Sequence, residues 1–200
     1  MSAADRPRRP TFREPGTFEA IDGGTQPEAR LEAAHETAAV LVRAGRTSSN
    51  AHAVARLVAL TRDVGLDTLA DLWALCAARS LPGALWRLYL LREWVQRDPG
   101  AAAVEYGAGI EFAEVRHVIA GVDPSGPQEI RRTVDQILRG AFDGDFAVAL
   151  ERAAAFCLVV TAGRAHVSSG HDAARSASQL QTMAADLTAA AAMWRTARLD

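Results

Sequence analysis

The residue types able to do chemistry are few in this chain, and most stand alone. His166, His171 and Asp172 fall within one polar stretch, HVSSGHD. A metal centre needs ligands in fixed geometry, which a Ser-Ser-Gly spacer does not supply. Asp143 and Asp145 flank Gly144, but the other ligands of a calcium loop are missing. A turn residue and a helix cap account for both. Cys157 shares a helical face with Phe146, Leu150, Ala153 and Val160, and Cys76 falls among Leu69, Leu72 and Trp73. Those settings predict buried, unreactive thiols. There is no Gly-rich phosphate loop, HExxH, GxSxG or CxxC. The sequence therefore assigns no catalytic residue, no cofactor site and no metal site.

Recognition chemistry is better represented. SLPGALWRLYLLREWVQRDP, from Ser80 to Pro99, holds two of the four Trp. On a wheel of roughly 100° per residue, Leu81, Ala84, Leu85, Leu88, Leu91 and Val95 form a core stripe. Trp86, Leu90 and Trp94 form a second ridge almost opposite. That ridge is either covered by neighbouring helices or presented to a partner, as Trp beside Arg often is at interfaces. Arg92 falls on the main apolar side. A buried guanidinium needs a carboxylate, and Asp71 and Asp135 are both candidates, so Arg92 marks a candidate internal polar site.

The elements that position these residues read as helix after helix. Thr25-Gln-Pro-Glu28 combines a capping box with Pro in the first turn and predicts a helix to about Ala44, stopping at Gly45. Ser48 or Ser49 can cap the next, which carries Val54, Leu57, Val58, Leu60 and Val64 and stops at Gly65. Asp67 can cap a third. Ser80 and Pro82 open the Trp helix, and Asp98-Pro99 closes it and opens another. Residues 100–119 are helical with Gly107 and Gly109 interrupting. VDPSGP (Val122 to Pro127) is a turn cluster. Gln128–Arg139 is amphipathic through Ile130, Val134, Ile137 and Leu138. Asp145 caps a helix to about Thr161, and a final helix runs from about Asp172 to Arg195. No segment alternates with period two. The expected fold is all-α, a single-domain bundle or array of about eight helices over residues 25–200. A tetratricopeptide array is excluded, because no second copy lies 34 residues away.

Residues 1–24 are Pro- and Gly-rich without period and predict a disordered tail. Arg6, Arg8, Arg9 and Arg13 make it a candidate basic arm. All 22 basic residues of the chain are Arg, the net charge is -2, and charged residues make up 23%. That balance gives no whole-molecule pull toward nucleic acid or membrane. Two distant Cys and the lack of a signal-peptide pattern favour the cytoplasm. The longest apolar run, Ala153 to Val160, is well short of a membrane span. Residues 127–161 could form two helices around a turn, but FAVALERAAAFCLVV offers only Glu151 and Arg152 to base edges, which argues against direct reading of nucleic acid.

Ala78–Arg92, Ile137–Cys157 and the closing MWRTARLD resemble a family of small actinobacterial helical proteins, some labelled DNA-directed RNA polymerase subunit beta. The resemblance spans most of residues 10 to 200. It implies at most an accessory association with transcription, and brings no site residues. The chain is far too short for a catalytic beta subunit and lacks an acidic metal-binding motif. The expectation is a helical interaction or scaffold protein that binds a protein partner or itself. An accessory transcription factor is the alternative, and an enzyme with an unfamiliar helical pocket comes third.

Overall fold

The structure, a computed structural model, describes residues 27–48, 50–121 and 126–199. The proposed tail, its four Arg, the Thr25 cap and most of the VDPSGP turn lie outside the described residues. The fold is all-α. The described helices are α1 (Pro27–Thr47), α2 (Ala51–Val58), α3 (Leu60–Val64), α4 (Leu66–Trp73), α5 (Leu81–Arg97), α6 (Pro99–Gly109), α7 (Glu114–Ala120), α8 (Pro127–Asp143), α9 (Phe146–Val167) and α10 (His171–Arg195). A 3-10 turn, Ile110–Phe112, links α6 to α7.

The centre of the bundle is α9. It packs against α10, α6, α7, α8 and the edge of α5. Phe146, Leu150, Ala153, Phe156, Cys157 and Val160 are all buried around it. By length and composition alone α9 could cross a bilayer, with a mean hydropathy of 1.7 over its best stretch. In this fold the chain's own helices bury 67% of that stretch. The Trp helix α5 is the second buried element, set among α8, α1, α4 and α10.

Capping chemistry sets most boundaries. The Ser80 hydroxyl accepts from Gly83 N at 3.2 Å and opens α5. Asp98 ends α5, and its carboxylate accepts from Ala101 N at 3.0 Å to start α6. Asp145 accepts from Ala147 N at 2.8 Å at the head of α9. Gly65, at φ 88°, separates α3 from α4 in a conformation that favours glycine. It leaves Asp67 inside the first turn of α4 rather than at its cap.

Three further boundary expectations are corrected. Gly45 does not stop α1; it is buried inside the helix. A Cβ there would lie 2.6 Å from Phe142 Cβ, so the glycine is present for close packing. Asn50, not a serine, caps α2, accepting from His52 N at 2.9 Å. The helix expected through Val64 breaks at Ala59. Near the break, Leu57 O accepts both a backbone N–H of the cap and, at 2.6 Å, the Tyr89 hydroxyl.

Candidate interaction surfaces

The Trp86–Leu90–Trp94 ridge lies under α10. Trp86 is only 8% exposed, and Leu90 and Trp94 are half-buried. Two adjoining hollows of about 290 and 230 Å³ remain between α5 and α10, sharing Leu90, Gln179 and Met183. Their charged walls are already engaged. Arg87 donates to Gly83 O at 3.0 Å and stands 3.4 Å from Asp186.

Arg92 finds Asp135, one of its two candidate partners. Arg92 Nε donates to Asp135 Oδ1 at 2.7 Å, and Gln96 Nε2 donates to the same oxygen at 3.3 Å. Thr61 Oγ1 lies 3.4 Å from Arg92 Nη1. The site is a polar strut from α5 to α8, with its carboxylate facing solvent.

A more deeply buried pair escaped the sequence. Arg164 of α9 grips Glu105 of α6 with two bonds, Nε to Oε1 at 2.8 Å and Nη2 to Oε2 at 2.7 Å. The side chains are 9% and 12% exposed. The third guanidinium nitrogen donates to Ser176 Oγ of α10, and the Arg164 guanidinium carbon sits 5.2 Å from the Trp94 ring centroid. Glycine makes the pairing possible. A Cβ on Gly163 would lie 1.6 Å from Glu105 O, and one on Gly109 would lie 1.9 Å from Val159 O. The two backbones touch, which brings the neighbouring charges together. Gly109, read as an interruption, is therefore a crossing point.

Among the described residues, an open apolar surface lies along the flank of α1. Three hollows run between α1 and the opposing wall of α2, α3 and α4. The first, about 390 Å³, lies among Pro27, Leu31, Leu72, Leu75 and Cys76. The second, about 450 Å³, is lined by Thr37, Val40, Leu41, Leu60, Val64 and Leu72. The third, about 380 Å³, reuses Leu41, Leu60 and Val64 and ends at Ser48. Shared lining residues join them into one groove beside most of α1. Leu75 is 91% exposed, Val40 53%, and Leu31 and Val64 are also exposed. Beneath the groove stands an aromatic pillar. Trp73 stacks on Tyr89 with centroids 6.1 Å apart, and Tyr89 leans on Phe142 at 6.4 Å. Trp73 Nε1 donates to Thr37 Oγ1 at 3.3 Å, anchoring the groove floor to α1.

No protein family, curated protein or solved structure matches this chain.

The other candidate groups have structural surroundings. Cys157 is fully buried, and burial pushes its thiol up to about 12. Cys76 follows α4 in a turn, half-buried at the groove end, and burial raises its thiol too. His166 and His171 stand on different helices. The His166 ring packs 5.5 Å from Phe112, while His171 Nδ1 lies 3.4 Å from Arg175. Among the described residues, no group of three His, Cys, Asp or Glu could hold a metal ion. Glu151 pairs with Arg195, whose hydrogen bonds hold its carboxyl below the usual range. Arg152 donates to Ala120 O at 3.2 Å, so both candidate base-reading residues are occupied within the fold.

Proposed function

We propose that this chain is a protein-interaction module that docks a helical partner in the groove beside α1. One observation carries the reading: the exposed Leu31 and Leu75 line one hollow beside α1, and the exposed Val40 and Val64 line the next, with Leu72 common to both. Isolated apolar side chains on a surface are ordinary, whereas a contiguous patch marks an interaction site. A trough with a helix on one wall suits an amphipathic helix, which anchors its apolar side chains at spacings of three and four. Two other features support binding over catalysis. Arg92 and Arg164 are held in structural pairs, and burial raises both cysteine thiols, at Cys157 outweighing the nearby Arg164 charge.

The test is capture from native-cell extract with the full chain, Val40→Glu and Val118→Glu as baits. Both valines are exposed, so both variants keep the fold, which circular dichroism checks. A partner bound by the native chain and by Val118→Glu but lost with Val40→Glu is the expected result. Equal recovery on both variants would remove the groove from the account.

A further inference from the structure

We infer that the occupant of the groove is a second copy of this chain, docked antiparallel through α1; this rests on the docking reading above. The evidence is the pattern on the side of α1 that borders the groove. Ala33, Thr37, Val40 and Ala44 follow one another at spacings of four, three and four. That is the alternation of a coiled-coil seam. It is separate from the inward stripe of Ala34, Ala38, Val42 and Gly45, which is buried against this chain's own body. The seam side is open: Ala33, Val40 and Ala44 are exposed and Thr37 is half-buried. Its residues are small, so two helices can approach closely.

Charge chooses the orientation. Glu36 and Arg43 each sit one residue before a seam position, at Thr37 and Ala44, and so occupy the same flank. Both are exposed. Neither side chain belongs to any of the ion pairs among the described residues. In an antiparallel pair the same flanks of the two helices meet. Glu36 of one copy then faces Arg43 of the other, and the twofold axis repeats the contact. The layers are Thr37 against Val40 and Ala33 against Ala44, so the twofold axis passes midway between Thr37 and Val40. A parallel pair would set Glu36 beside the opposite flank, where Leu41 stands, and leave both charges unmatched. In the antiparallel arrangement each copy's α1 lies beside the other's α3 and α4, so Leu60 and Val64 close over the seam.

The experiment is the solution mass of the full chain by sedimentation across a concentration series. A dimer is expected for the native chain and a monomer for Val40→Glu. Glu36→Arg and Arg43→Glu each set like charges opposite one another twice and should weaken the dimer roughly tenfold. The double variant Glu36→Arg/Arg43→Glu restores opposite charges and should recover the native affinity. A native chain that stays monomeric, or a dimer indifferent to Val40→Glu, overturns the inference. A double variant no tighter than the singles overturns the antiparallel register. If the native chain is monomeric while Val40→Glu still loses a captured partner, the second copy is excluded and the docking groove stands.

Discussion

At the scale of single residues, burial decides which charged groups matter. Arg164 and Glu105 are both nearly inaccessible, so removing one charge strands the other. Glu105→Gln should therefore lower stability by about 3 kcal/mol or more, read by chemical denaturation. Arg92 is the contrasting case, because Asp135 is 39% exposed and stays solvated without it. Arg92→Met keeps the apolar stem and should change stability by about 1 kcal/mol or less. A loss of several kcal/mol would show that the strut does more than this. The two arginines also mark what a sequence can reveal. Arg92 stands out because it interrupts an apolar stripe, and that conflict points to a carboxylate partner. Arg164 follows Thr-Ala-Gly near the expected end of a helix, where a basic residue raises no question. Its burial comes from α10 folding over it, a long-range event that helix periodicity does not encode.

At the scale of elements, the glycines separate two roles that look alike in sequence. Gly107 and Gly109 are two residues apart in α6, yet only Gly109 faces α9. A Cβ on Gly107 would meet nothing within 4 Å. Gly107→Ala should raise stability by about 0.5–1 kcal/mol, the gain expected from a better helix former. Gly163→Ala drives a methyl into the backbone of α6, and should lower stability by about 3 kcal/mol or more. That corresponds to a fall in Tm of about 6 °C or more. Similar stability changes for the two variants would contradict the crossing described here. The helices themselves were legible, because capping side chains such as Ser80, Asp98 and Asp145 are local signals. Gly45 was not, since a glycine that ends a helix and one that admits Phe142 leave the same letter. The break at Ala59 was equally hidden, because no Gly, Pro or capping side chain marks it.

At the scale of the whole molecule, a helical body built around α9 adjoins the α1–α4 edge. The helices α6, α7, α8 and α10 pack around α9, and α10 also covers most of the Trp86–Leu90–Trp94 ridge. The α1–α4 edge has an apolar trough that the other described residues do not cover. Sequence periodicity drew attention to the densest apolar helix, but density is a sign of burial as much as of binding. The open surface instead follows from short helices, α2 to α4, that line one flank of α1 without closing over it. Hydroxyl-radical footprinting of the full chain, dilute and then in its associated state, tests this most directly. Leu31, Val40 and Leu75 should be oxidised in the dilute chain and protected on association, while Phe112 and Val118 are oxidised equally in both. Protection that falls on Phe112 and Val118, with Val40 and Leu75 unchanged, would contradict it.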